Sequence, residues 1–217
     1  MPLTPKEWSV VVVGRWNRAI LTPAGIGKRI FKLPEGTPME VMIAIDAIAP
    51  PLVKHDKMVV VAASDRLTIQ PEICSFDELM KACDLASSAV KSLPETPLLA
   101  VGFNIKYTTE GYFEPVDRVL VSELDDLASD AHYGILERQV HRAFKWGEGK
   151  INFVAALTDD GARTVALNFE LHSDSSQEHI DWLGHAPNAI KIEVQKIIGS
   201  VLQVPAEDIN YEQATQN

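Results

Sequence analysis

LLAVGFNIKY, running from Leu98 to Tyr107, lies near the middle of a 217-residue chain and alternates without interruption. Leu99, Val101, Phe103, Ile105 and Tyr107 share one parity; Ala100, Gly102, Asn104 and Lys106 share the other. Successive side chains of a strand point to opposite faces, so the pattern predicts a strand with one apolar face and one small, weakly polar face. Pro94 and Pro97 precede it. Proline lacks an N–H and disfavours helix at the residue before it, so any preceding helix must end here.

Upstream, WSVVVV (Trp8–Val13) is an apolar, β-branched run and predicts a buried strand. Thr22-Pro23 supplies an N-cap and a proline at the first helical position, opening a helix to about Leu33. Met39–Ala47 alternates, with Val41, Ile43 and Ile45 inward, and predicts a strand ended by Pro50-Pro51. Met58–Ala63 and Leu67–Gln70 read as a hairpin around Ser64-Asp65-Arg66. Ser75 with Glu78 forms a capping box before a helix whose Phe76, Leu79, Met80, Cys83, Ala86 and Val90 recur at helical spacing.

Downstream the same order returns. Pro115 opens a helix with Val116, Val119, Leu120, Leu124, Leu127 and Ala131 on its inner stripe. Three strands follow, at about Ile135–Trp146, Ile151–Thr158 and Arg163–His172, joined by the glycine-containing turns 147–149 and 159–161. The polar stretch Ser173–Gln177 leads to a short helical turn at His179–Leu183, broken at Gly184–Pro187. Asn188 then caps a last helix carrying Ile190, Val194, Ile197, Ile198 and Val201. Both halves thus read β-α-β-β-β-α, and VVVAASD (Val59–Asp65) resembles FVAALTD (Phe153–Asp159). The expected fold is α+β: two such units, residues 1–96 and 97–204, joined in one curved antiparallel sheet with the helices on one face. Residues 205–217 read as a polar tail on one continuous domain.

This element order resembles the TATA-binding-protein-like and helix-grip folds, but none of their residue motifs is present, so the resemblance implies no function. The second half also resembles a sporadically distributed family of uncharacterised bacterial proteins. The likeness rests on G-x-N-x-x-Y at Gly102, Asn104 and Tyr107, followed by Arg163–His172 and Asn188–Leu202. It covers about half of the chain and implies a bacterial protein of no known activity.

Hydrophobic residues make up 46% and charged residues 23%, the balance of an ordinary soluble globular protein. No apolar run has the length of a bilayer span, and the start MPLTPKEW lacks a signal peptide's basic and apolar regions. Cys74 and Cys83 read as buried free thiols in a reducing compartment. The expectation is a cytoplasmic protein that does not engage a membrane. The net charge of −10 is uneven: residues 1–96 hold 11 basic and 11 acidic residues, residues 97–217 hold 9 and 19. Phosphate backbones repel such a surface, so nucleic acid is not an expected partner.

Gly25-Ile26-Gly27-Lys28 enters a helix as a phosphate-binding loop would, but Thr22 stands where the first glycine belongs and Arg29 where a Ser or Thr belongs. Asp125, Asp126, Asp130 and His132 offer metal-ligand chemistry, yet the spacing equally describes a solvated acidic helix face. His141, His172, His179 and His185 lack any accompanying nucleophile or metal motif and read as surface residues. No cofactor or metal is expected. Less ordinary is the parity opposite the core stripes: Ala100, Gly102, Asn104, His141, Ala143, Asn152, Ala156, Thr164, Ala166 and Asn168. A solvated sheet face normally carries Lys, Glu and Thr, whereas small residues admit close approach of another surface, or of the chain's own loops. The expected function is non-enzymatic binding or assembly through this open face, toward a protein partner or a second copy in a homodimer, with Asn104, His141, Asn152 and Asn168 as contact residues. One alternative is an enzyme with its site on that face, using Asn104, His141, Asn168 or His172. Another is an acidic nucleic-acid mimic or inhibitor presenting the carboxylates of helix 115–131.

Overall fold

A computed structural model of the chain describes residues 2–44 and 49–213. Among them, ten strands form one open, curved antiparallel sheet. The first unit contributes β1 (Thr4–Pro5), β2 (Ser9–Gly14), β3 (Glu40–Met42), β4 (Leu52–His55), β5 (Met58–Ala62) and β6 (Arg66–Pro71), with helices α1 (Pro23–Arg29) and α2 (Phe76–Ser92). The second contributes β7 (Leu98–Thr109), β8 (Arg138–Trp146), β9 (Gly149–Leu157) and β10 (Arg163–His172), with helices α3 (Glu114–Leu120), α4 (Glu123–Asp130) and α5 (Ser176–Lys196). The strand order is β3-β4-β5-β6-β2-β7-β10-β9-β8, and β1 continues the β2 side along β7. Each unit starts at the centre with its first strand, goes out to an edge, and returns by a meander. The two halves join through the antiparallel pair β2–β7, which matches Val10 with Phe103 and Val12 with Val101.

The alternation read from the sequence becomes burial. Val10, Val12, Leu67, Ile69, Val101, Phe103, Ile105, Val165, Leu167 and Phe169 are all buried on the face that carries the helices. α2 and α5 pack on each other, α2 over β2 and β6, α5 over β7 and β10. Trp182 of α5 lies 4.7 Å from the ring of Phe103, and Trp146 closes the cluster 5.1 Å from Phe169. α3 covers β8–β10. It is fastened by a forked ion pair, Arg163 Nε and Nη2 to Asp117 at 2.9–3.1 Å, while Asp117 Oδ2 accepts from the Phe113 N–H at 2.7 Å.

Several expectations are corrected. Leu99 is exposed rather than in the core, because the register shifts there: Gly14 faces Leu98 while Val13 faces Ala100, so Leu99 bulges out of the ladder. The strand expected over Met39–Ala47 is reduced to Glu40–Met42 at the sheet edge, with Val41 and Ile43 exposed; Ile45 and Ala47 lie outside the described residues. The helix expected over 115–131 breaks at Val121, which is extended, and Ser122, which starts α4; both residue types are weak helix formers. The last helix starts far earlier than Asn188. Ser175 Oγ accepts from Glu178 N–H at 3.3 Å, and α5 runs through Pro187. Proline removes one helical hydrogen bond, but Leu183, Ala186, Ile190 and Val194 on either side are buried, and that packing holds the helix together. It ends in a π-helical turn, Ile197–Val201. The segment expected as a polar tail packs in part: Ile209 bridges Leu3, the Tyr107 hydroxyl donates to Tyr211 O, and Gln213 Oε1 accepts from Cys74 N–H at 2.8 Å.

Candidate functional site

The sheet face opposite the helices is built by parity. On β7, β10 and β9 the even-numbered residues point to it, and the antiparallel registers align them in rows. One row reads Ala143–Asn152–Asn168–Asn104–Ser9 across five strands. Cross-strand neighbours on one face stand about 5 Å apart, close enough for short side chains to bond directly. They do: Asn152 Nδ2 donates to Asn168 Oδ1 at 2.9 Å, Asn168 Nδ2 to Asn104 Oδ1 at 2.8 Å, and Asn104 Nδ2 to Ser9 Oγ at 3.1 Å. The amides run as a single oriented chain from β9 to β2. Asn104 and Asn168 each keep one N–H beyond these bonds, and every amide oxygen keeps a lone pair, so the half-buried chain still offers polar contacts outward.

The row explains the G-x-N-x-x-Y stretch residue by residue. A Cβ on Gly102 would stand 3.0 Å from Phe169 O and 3.3 Å from Asn168 Nδ2, so glycine leaves room for the amide chain. Asn104 is a link of that chain, and Tyr107 is a fully buried core residue on the opposite face.

Three of the four residues expected at this site are therefore joined. His141 is not: it sits on the same face one row away, opposite Val154, exposed on the edge strand β8. The next row on the other side brings in residues that composition did not single out, Lys150 and Glu170. Lys150 Nζ lies 2.7 Å from Glu170 Oε1, and His172 Nε2 lies 3.2 Å from the same oxygen. Burial pulls the Glu170 carboxyl upward, but hydrogen bonds from Lys150, His172 and Asn152 outweigh it and hold the group below the ordinary carboxylate range. In the sequence, His172 was a candidate on its own, but Glu170 was marked only by sharing the parity of Asn168, and Lys150 by nothing. At this corner Val13, Ala100, Glu170, His172, Ser173 and Asp174 line a shallow depression of about 570 Å³.

The other candidates resolve on geometry. Gly25 is demanded by packing, since a Cβ there would collide with the backbone Ile20 O, whereas one on Gly27 would meet only the flexible end of the Met39 side chain. Asp125 is engaged by Arg138 Nε at 2.8 Å. Among the described residues no group of three or more His, Cys, Asp or Glu side chains is placed to hold a metal ion, and no helix is long and apolar enough to cross a membrane. His141, His172 and His185 are exposed, but His179 is fully buried in the first turn of α5 with neither ring nitrogen hydrogen-bonded. Its burial corrects the expectation of a surface residue, and pushes its pKa down. Compared with known proteins, the chain matches no family model and no curated protein.

Proposed function

We propose that this chain is a non-enzymatic binding or assembly protein that engages a protein partner through the open sheet face of its second half. The observation that carries the reading is the amide chain Asn152–Asn168–Asn104–Ser9. It spends three asparagines on a face flanked by Ala143, Ala156 and Ala166, where ordinary solvated strands carry long charged side chains. Short side chains with fixed polar edges suit a flat partner surface, which pays little entropy to meet them. Membership in the bacterial family with the G-x-N-x-x-Y strand is part of the same proposal, since those residues shape this row.

The enzyme alternative draws on His172 and Glu170. It is the weaker reading, because a carboxylate already held ionised by three donors is a poor proton acceptor. The mimic alternative loses the continuous helix it needed, and Asp117 and Asp125 are taken up by Arg163 and Arg138.

The test is quantitative co-purification of wild type and Ala156→Arg, with circular dichroism as the fold control. Ala156 lies half-buried on the open face beside Thr164. A partner retained by wild type and lost from a folded Ala156→Arg variant supports the reading. Identical partner profiles overturn it.

A further inference from the structure

The two edges of the sheet are unlike. β3 has three residues, whereas β8 has nine, in unbroken register with β9 and without proline. An edge of that length and regularity is a template for another strand. The two-residue turn at 147–148 makes Trp146 and Gly149 a hydrogen-bonded pair, and such pairs alternate along an antiparallel ladder. The N–H and C=O groups of Gln139, His141, Ala143 and Lys145 therefore point away from β9. Among the described residues no strand lies on that side and no loop backbone bonds to it. His141 O accepts from the exposed Arg142 side chain at 2.8 Å, a flexible arm that a strand's N–H can replace.

Both ends of β8 lack partners as well. The strand expected from Ile135 begins only at Arg138, opposite Leu157 where β9 ends, so residues 135–137 lie outside any ladder. Leu136 there is 91% exposed, more than any other large apolar residue described. At the far end Lys145 faces Lys150 across β9, and Lys150 is taken up by Glu170. Lys145 and Glu137 are both exposed and, among the described residues, in no ion pair.

A second copy of β8 answers all three needs in one register. The outward groups sit on odd-numbered residues, so odd must meet odd. An antiparallel pairing centred on residue 140 sets Arg138 against Arg142, and one centred on 142 sets Arg142 against itself; like charges directly opposite are destabilising. Centred on His141, the pairing sets no arginine or lysine against another. It places Glu137 opposite Lys145 on the open face, and Leu136 opposite half-buried Trp146 on the helix face.

We propose that β8 of one copy pairs antiparallel with β8 of a second copy, His141 against His141, joining two sheets into one across a two-fold axis. The inference rests on the sheet edge rather than on the open face or the amide chain, and goes beyond the function proposed above. Such a contact is isologous, so each match occurs twice and assembly stops at two copies. It also gives a place to His141, which the amide row left out.

Sedimentation of the full chain over a concentration series tests this, together with disulfide trapping. Wild type is expected to pass from monomer to dimer and no further. Lys145→Glu and Glu137→Lys each turn two attractive pairs repulsive, and each is expected to weaken association at least about tenfold. The double variant reverses both charges and is expected to restore it. His141→Cys places two thiols on the axis, where a hydrogen-bonded pair with Cα atoms about 5.5 Å apart suits a disulfide. It is expected to crosslink on mild oxidation, the native Cys74 and Cys83 being buried. Gln139→Cys is expected not to, since its copies stand four positions apart, roughly 13 Å along the strand. Positions 137, 139, 141 and 145 are exposed, so circular dichroism should match wild type throughout. A wild type that is monomeric at every concentration, a double variant as weak as the single ones, or Gln139→Cys crosslinking as readily as His141→Cys overturns the proposal.

Discussion

The two units share an order of elements and differ in what they leave uncovered. Their long helices correspond closely. Ser75 and Ser175 each cap with an oxygen 3.3 Å from the N–H of a glutamate three residues on, Glu78 and Glu178. Buried Leu79, Cys83, Ala86 and Val90 of α2 correspond in turn to buried His179, Leu183, Ala186 and Ile190 of α5. Elsewhere the units part. α1 buries Ile26 and Gly27, whereas α4 buries nothing. The open face of the first unit carries Val11, Val13, Val59, Val61 and Thr68; that of the second carries the three asparagines among alanines. Corresponding core positions share one architecture, because each unit must bury a helix stripe on the same sheet. Surface positions are free of that constraint, and there the second unit carries polar order and a bare helix.

The largest expected effect tests the equivalence of the helices. Leu79→Asp in α2 and Ile197→Asp in the turn that ends α5 each place a charge where residues are 0% and 3% exposed. Each should cost several kcal/mol, since a buried unpaired carboxylate has nothing to repay its desolvation. Chemical denaturation checks this, and wild-type stability in either variant would break the claim that both helices are core.

The next effect turns on Leu79 against His179. Burial lowers the His179 pKa in the folded state from the 6.5 of a free imidazole. As pH falls through that value the unfolded chain takes up a proton that the native state refuses, so stability drops with it. His179→Leu, which copies the first unit, should raise stability at neutral pH by about 1–2 kcal/mol by removing two unpaired buried nitrogens. It should also flatten the fall in melting temperature between neutral and mildly acidic pH. Equal pH slopes in variant and wild type would show that His179 finds a partner in solution.

A smaller cost is expected on the open face. Asn168→Ala removes two links of the amide chain, and because the site is half-buried, water can replace them, at about 1 kcal/mol. The smallest effect belongs to α4. Leu127→Glu should leave thermal stability within about 0.5 kcal/mol of wild type, because Leu127 is 64% exposed. A marked loss would mean that α4 is held by the monomer after all, and would remove the contrast between the units.

The strength of each signal in the sequence follows its physical range. Strand β7, the Ser75–Glu78 cap and the stripe of α2 were legible, because alternation, caps and helical period are local properties, whereas the matching cap at Ser175 went unread inside a polar stretch. Asn104, Asn152 and Asn168 could be placed on one face by parity, but not in one row. That needed the registers of two strand pairs, β9–β10 and β10–β7, and a shift of one residue in either would have separated the amides. The continuity of α5 through Pro187 ran against local propensity and was decided by burial on both sides of the proline. Leu124 and Leu127 carried a helical stripe indistinguishable from a core stripe, since periodicity records that a face is apolar and not what covers it.

By itself, then, the sequence determined the two-unit order, the single antiparallel sheet with helices on one face, and the parity of nearly every strand residue, all of which are set by neighbours a few positions away. Only the tertiary structure decided which apolar faces found cover, which histidine was buried without a partner, and which polar residues from distant strands met. Those outcomes depend on register and packing between segments far apart in the chain, where the free energy of burial is shared among elements and no local pattern records it.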